Sequence, residues 1–457
     1  MTGWLGLSVR TWRLVAAAGL VGAVVYVLSP LTVWFAFAAV AIVSWAERGV
    51  EGGERRWLRL VLIAAIVLRV AAVLVLFTIT NHKTTPFATF FGDEEFFIKR
   101  SISLRNLALG IPIHSADFIY AFDEVGATSY LYLLAAIQLL VGPSPYGVHL
   151  VGVAFYLAAS VLLFRLVRRT LGRVPAFAGL VLLLFLPTLF AWSVSALKES
   201  AYLLLTASTV ALAEVVFRGR TWTRRAAAVV AIALLIAAVE SVRRAGAALT
   251  AAGLIVGLAT TWIVTRPRML LAAAVIAPMA IGVVLSRPTL QVRAFQNVRQ
   301  AAQQHAGHIN TPGVVYKTLD DRFYISWFDL GDMRFFEQAR FIIRSVVAYV
   351  VVPLPWQARS KAILAYLPEQ ALWLLMVALM PSGFVRSLRR DPLVASLLLA
   401  MAATAAAVVA LVSGNVGTLV RHRGLVIPYM VWLSAVGASE LYINYARPMR
   451  RGEIGLR

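Results

Sequence analysis

The chain has no cysteine, which excludes disulfides, thiol nucleophiles and thiolate metal sites and leaves carboxylates, amides, Lys, Arg and six His to carry any chemistry. Charge is scarce: 14% of residues are Asp, Glu, Lys or Arg, against about a quarter in soluble proteins. Carboxylates are scarcer still, 21 against 43 Lys plus Arg. A Gly-rich phosphate loop, a Walker sequence, an HExxH pair and a GxSxG elbow are all missing. What is plentiful is hydrocarbon: 60% of the 457 residues are hydrophobic, and the mean hydropathy is +0.80. Such a composition predicts an all-α polytopic membrane protein.

A net charge of +22 would suit nucleic acid. The Arg residues, however, recur in short clusters between apolar runs, as the positive-inside rule expects of cytoplasmic loops. Membrane lipid headgroups are the expected partner of these clusters, and nucleic acid is not.

Apolar runs of roughly spanning length, about 20 residues, fall near 14–28, 31–46, 57–80, 147–165, 174–192, 200–217, 226–240, 246–264, 269–285, 363–380, 392–412 and 424–441. Arg10 and Arg13 precede the first run without a small-residue cleavage site, so it reads as a retained span rather than a signal peptide. About twelve spans with the N-terminus inside put every Arg-rich connection, such as "RLVRRTLGR" and "RSLRR", on the cytoplasmic side. Two further apolar stretches, 128–142 and 340–354, break that alternation and are expected to be re-entrant or interfacial helices. The chain divides into an N-terminal transmembrane hairpin (1–56), a core (57–217) with a long outer loop at 81–127, and a C-terminal transmembrane region (218–457) with an outer segment at 286–338.

With that parity the ionisable groups collect at the outer ends of separate helices, where they are a functional-site hypothesis by default. "FFGDEEFFIKR" places Asp93, Glu94 and Glu95 among four Phe. Partial desolvation and like charge raise a carboxyl pKa and suit a general base. The bland reading has Asp93 capping the helix, with Glu94 and Glu95 favoured by its dipole. Downstream, "EEFFIKRSISLRNLALG" is expected to lie along the membrane with Lys99, Arg100 and Arg105 toward water or phosphates.

In "WSVSALKESAYLLL", Lys198 could neutralise a phosphate and Glu199 could orient it; the alternative is a snorkelling Lys beside a capping Glu. In "ESVRRAG", Arg243 and Arg244 form a basic pair on the outer face that asks for an anionic partner. "GNVGTLVRHRGLVIP" places Asn415, Arg421 and Arg423 beside a helix entrance, with glycines that let backbone approach a ligand. His305 and His308 could share a helical face, but no third ligand accompanies them. Hard carboxylates at Asp93 and Glu94 would suit magnesium or manganese.

The order of these parts over 57–217 resembles the integral-membrane glycosyltransferases of the GT-C fold. It is most similar to the branch of protein O-mannosyltransferases and bacterial lipid A aminoarabinose transferases. The resemblance rests on "FFGDEEFF" in the first outer loop, the "GPSP" turn, the "RRTLGR" end and the Pro-containing span leading to "WS…LKES". It implies an inverting transferase taking a sugar from a polyprenyl-phosphate donor on the outer leaflet to a glycan, glycolipid or protein acceptor. It also implies that the acidic residue of the first outer loop is the base, here Asp93, with Glu94 as the neighbouring acid. The motif reads DEE where other members carry DxD or DE. A polysaccharide polymerase or ligase, and a transporter or flippase of lipid-linked substrates, are the competing expectations.

Overall fold

The computed structural model describes residues 8–84, 87–123, 128–144, 146–309, 316–319, 335–357 and 360–454. Of the outer segment 286–338, residues 310–315 and 320–334 therefore lie outside the described residues. In chain order the helices are α1 (Val9–Leu28), α2 (Pro30–Glu47), α3 (Gly52–Ile79), α4 (Gly92–Ala108), α5 (Ser115–Ala121), α6 (Ser129–Val141), α7 (Gly147–Thr170), α8 (Arg173–Phe185), α9 (Pro187–Val194) and α10 (Glu199–Arg218). They continue with α11 (Trp222–Val242), α12 (Gly246–Val264), α13 (Pro267–Ser286), α14 (Pro288–Gly307), α15 (Phe335–Val351), α16 (Lys361–Arg390), α17 (Pro392–Val412), α18 (Val416–Arg423) and α19 (Ile427–Ile454). Among the described residues there is no strand, only an isolated bridge between Lys317 and Asn415.

Eight of these helices are long and apolar enough to cross a membrane. The total is ten if each of two bent pairs, α8 with α9 (61°) and α18 with α19 (67°), counts as one span. The chain is thus an all-α, multi-pass membrane protein. The runs at 14–28 and 269–285 lie in α1 and α13, whose described apolar parts, Thr11–Val24 and Leu271–Ala280, are shorter than a span. The stretch at 128–142 forms the 13-residue α6, and that at 340–354 falls in the 17-residue α15. Both are below the roughly 20 residues a crossing needs.

The first bend follows from Pro187. The residue before a proline is pushed out of the helical region, and Leu186 sits at φ −61° and ψ 124°. Elsewhere the helix starts follow ordinary capping chemistry. Ser360 accepts from Ile363 N, Asp391 from Val394 N and Asn415 from Thr418 N, each satisfying a donor that the first turn leaves open.

The residues form two compact units, neither a single stretch of chain: 1–162 with 190–208 and 237–244, and 163–189 with 209–236 and 245–457. In the first, the hairpin of α2 and α3 is closed by Glu47, whose carboxylate accepts from Arg59 Nε and Nη2 (2.5 and 2.8 Å) and Arg55 Nε (2.8 Å). α4 packs on α6 through the buried Phe97, Ile98, Tyr130, Leu131 and Leu134. The water-facing side expected of α4 holds only in part. Lys99 is exposed and pairs with Glu95, but Arg100 is fully buried over the rings of Phe96 and Tyr120. Half-buried Arg105 donates to Gln138 O at 3.2 Å.

In the second unit the core is the crossing of α16 and α19. A Cβ on Gly383 would strike the Leu433 carbonyl, and the Gly437 nitrogen is 2.8 Å from that position. Small residues here let the two backbones touch, which is how helices associate where lipid removes the hydrophobic drive.

Candidate functional site

Glu94 is the hub of the first unit. Helix α4 begins at Gly92, so Glu94 is its third residue, and its side chain turns back to accept from Phe91 N (2.9 Å) and Phe90 N (3.2 Å). The other carboxylate oxygen accepts from Ala196 N at 3.1 Å, across 102 residues of sequence. Capping of α4 therefore falls to Glu94 rather than Asp93. The side chain has no exposed surface. Burial pushes its pKa up to about 7, against the opposing pull of the three backbone donors, and the charge of Glu199 adds to the rise.

His149, at the start of α7, completes the hub. Its Nδ1 lies 3.0 Å from Val194 O and 3.3 Å from Glu94 Oε2, and its Nε2 lies 3.0 Å from Ala88 O. Phe90 meets the ring edge-on, and Tyr130 Oη donates to Ala196 O at 3.2 Å. Three stretches of chain, 88–91 before α4, the first turn of α7 and 194–196 before α10, are thus tied to one carboxylate and one imidazole.

Several other ionisable groups of the same unit are exposed or half-buried. Asp93, one residue before Glu94, is exposed. Lys198, two residues after Ala196, and Glu199 are half-buried at the start of α10. Trp192 stacks on Phe91 with centroids 4.2 Å apart. Arg243 lies over the Tyr202 ring at 5.6 Å, Arg244 is exposed, and the chain then turns through Ala245 in the left-handed region at φ 62°. Ser129 at the head of α6 and Ser241 in the last turn of α11 share a hydrogen bond at 2.7 Å. Six of the residues singled out from sequence, Asp93, Glu94, Lys198, Glu199, Arg243 and Arg244, therefore belong to one compact unit.

The remaining three, Asn415, Arg421 and Arg423, belong to the other unit. Asn415 is committed at both ends of its amide. Its oxygen accepts from Thr418 N at 2.7 Å, and its nitrogen donates to His308 O at 2.8 Å. Arg423 has no exposed surface. It donates to Tyr366 Oη (3.0 Å), Gln370 Oε1 (2.6 Å), Tyr349 O (2.5 Å) and Val352 O (2.7 Å), and its guanidinium faces the Trp373 ring at 4.7 Å. Arg421 and His422 are half-buried in the same turn.

Several buried polar groups were not singled out from sequence. Glu369 inside α16 accepts from Thr188 N at 2.9 Å and from the Thr188 hydroxyl, holding the first turn of α9. Arg69 lies within the membrane-spanning α3, fully buried, and donates to Ser193 Oγ (2.8 Å) between the rings of Tyr156 and Phe190. An intramembrane ionisable residue is a signal in its own right, and Arg69 was readable in "VLRVAAV". His149 and Glu369 stand singly among apolar neighbours, where nothing local separates a core residue from a functional one.

Both Glu94 oxygens accept main-chain donors, while Asp93 is exposed. Among the described residues no group of three or more His, Asp or Glu is placed to hold a metal ion. His305 and His308 turn to main-chain oxygens instead, of Leu411 (3.2 Å) and Val412 (2.7 Å). Compared with protein-family models, curated proteins and solved structures, the chain matches none.

Proposed function

We propose that the chain is a GT-C-type membrane glycosyltransferase. It moves a sugar from a polyprenyl-phosphate donor to a lipid-linked glycan, glycolipid or protein acceptor of the cell envelope, at the extracytoplasmic face. One observation carries the reading. The hydrogen bond from Ala196 N to Glu94 fixes the α4 turn bearing the exposed Asp93 to the turn bearing Lys198.

Inverting displacement needs a base at the acceptor and a cation at the leaving phosphate. Asp93 takes the acceptor hydroxyl proton as that oxygen bonds to the anomeric carbon. The bond from the anomeric carbon to the donor phosphate oxygen breaks, and its electron pair leaves with the polyprenyl phosphate. Lys198, with Arg243 and Arg244, neutralises the charge that gathers there. Glu94 is the positioning residue that holds the two turns.

The test is sugar transfer in membranes supplied with a labelled polyprenyl-phosphate sugar. Asp93→Asn is expected to lose about 10²- to 10⁴-fold in rate, the usual worth of a positioned base. Undiminished transfer by that variant would remove Asp93 from the mechanism, and absence of transfer by the wild type would remove the reading. A second reading, movement of a lipid-linked substrate across the membrane, is favoured by the two bent helix pairs, since transporters use broken helices. Flipping of a labelled lipid-linked sugar in proteoliposomes, without transfer, would select it.

A further inference from the structure

The segment 109–122 of the first unit presents its large apolar side chains outward. Ile119 is 72% exposed, and Leu109, Ile111, Phe118 and Phe122 are exposed with it. Its two ends are nevertheless fixed. At the start, Gly110 takes φ +69° and the chain leaves α4. At the end, Arg100 donates to the carbonyls of Ala121 and Asp123 and stacks on Tyr120. A segment held this firmly with its apolar side turned out has a partner on that side.

Between α4 and α5 lies an open groove of about 620 Å³, lined by Leu107, Ile111, Pro112, Ile113, Phe118 and Ile119, with Ser115 the one polar side chain on its wall. No Lys or Arg lines it, so its recognition is for hydrocarbon and not for a phosphate. The volume is in the range of sites for small molecules, about 300–1,000 Å³.

The place of the groove follows from its neighbours. Arg105, one turn before the groove, donates to Gln138 O in the last turn of α6. α6 ends at the tips of membrane-spanning helices. Ser144 Oγ lies 3.3 Å from Ser29 Oγ, just before α2, and Tyr146 packs on Phe77 in the last turn of α3 at 4.8 Å. Leu139 and Leu140 of α6 are exposed as well, as are Trp34 and Phe37 of α2, a span whose outer surface meets lipid.

We propose that segment 109–122 is a membrane wedge. It lies in the bilayer at the level where α2 starts and α3 ends, and its groove seats one acyl chain of a membrane phospholipid. Asp117, about 200° around α5 from Ile119, is exposed and marks the side turned to water.

Because the chain has no cysteine, single cysteines report one position each. Phe118→Cys, Ile119→Cys and Asp117→Cys, labelled with bimane, are to be placed in nanodiscs of phosphatidylcholine and phosphatidylglycerol. Quenching is then read with a nitroxide on the phospholipid acyl chain and with aqueous iodide. The expected result is several-fold stronger nitroxide quenching at 118 and 119 than at 117, and the reverse order with iodide. Iodide quenching at 118 and 119 equal to that at 117 overturns the wedge. Loss of the nitroxide signal at both positions on adding one equivalent of polyprenyl phosphate overturns the phospholipid assignment in favour of an isoprenoid chain. Using two label sites guards against one variant that fails to fold, and none of these readouts depends on sugar transfer.

Discussion

The two units each bury a full-length ionisable side chain at a turn between helices, and they handle it in opposite ways. In the first, the carboxyl group of Glu94 is held by three backbone N–H groups. In the second, the cation Arg423 is held by two close backbone carbonyls, a Tyr hydroxyl and a Gln amide. Each fixes segments that are far apart in sequence, and each has chain neighbours that are exposed or half-buried. A buried ionisable group in this protein therefore marks a structural node. Under the proposed function the reactive group is the exposed neighbour Asp93 and not Glu94.

The comparison breaks most readily at Arg423. Arg423→Met removes the donor that bridges four acceptors, and removal of one partner from a buried charge network costs about 3–5 kcal/mol. Thermal unfolding in detergent should show this as a large fall in midpoint. Arg423→Lys should recover little of it, because an ammonium cannot span the planar set of acceptors that the guanidinium meets. A neutral effect of either change would mean that Arg423 is free to serve a ligand.

Next in size is the pH dependence of the Glu94 node. Its folded pKa of about 7 stands above the ordinary carboxyl value of 4.5, so the folded state holds a proton that the unfolded chain has released. The resulting stability is fully present below pH 4.5 and is lost as pH rises through 7, to the extent of about 3 kcal/mol. Glu94→Gln should flatten that slope while keeping an oxygen acceptor. His305 in the second unit works in the other sense. Burial pushes it down to about 4, below its ordinary 6.5, so its contribution is present above pH 6.5 and lost as pH falls through 4. A protein that retained the Glu94 slope after Glu94→Gln would owe it to another group.

What the sequence made legible follows from the range of the interactions. Helical runs and their interruptions are local: Pro187 in "LFLPTLF" and Gly424 in "RHRGLVIP" both mark the bends that appear. Placing the ionisable groups at outer helix ends treated all nine candidates alike and did not foresee that Asp93, Glu94, Lys198, Glu199, Arg243 and Arg244 fall in one unit and Asn415, Arg421 and Arg423 in the other. The division of labour inside the DEE triplet was not legible. Successive helical residues point about 100° apart, and only the packing of Ala196 and His149 decides that Glu94 faces inward. Arg423 was illegible for the same reason, since an RHR triplet reads alike on a surface and in a core. His149 and Glu369 meet partners 45 to 181 residues away, a distance that no pattern in a single sequence spans.

A smaller effect is expected at Asn415. Asn415→Ala removes the acceptor for Thr418 N and the donor to His308 O. The loss of an N-cap is worth about 1 kcal/mol, readable as a shift of a few degrees in the unfolding midpoint. A shift as large as that of Arg423→Met would make the cap part of the same node, and the second unit would have two centres in place of one.

The smallest expected change in stability is the most telling. Asp93→Asn alters an exposed side chain in the first turn of α4, where a carboxylate's interaction with the helix dipole is worth about 0.3–1 kcal/mol. If Asp93 is a base and Glu94 a staple, the same variant moves the unfolding midpoint little while transfer collapses. Glu94→Gln should do the reverse in part, moving the midpoint and its pH slope more than its loss of rate would imply. A midpoint that falls with Asp93→Asn as far as with Glu94→Gln would erase the distinction between the two carboxylates and make the whole DEE turn structural. The chemistry would then have to be sought from Lys198 and the Arg243–Arg244 pair alone.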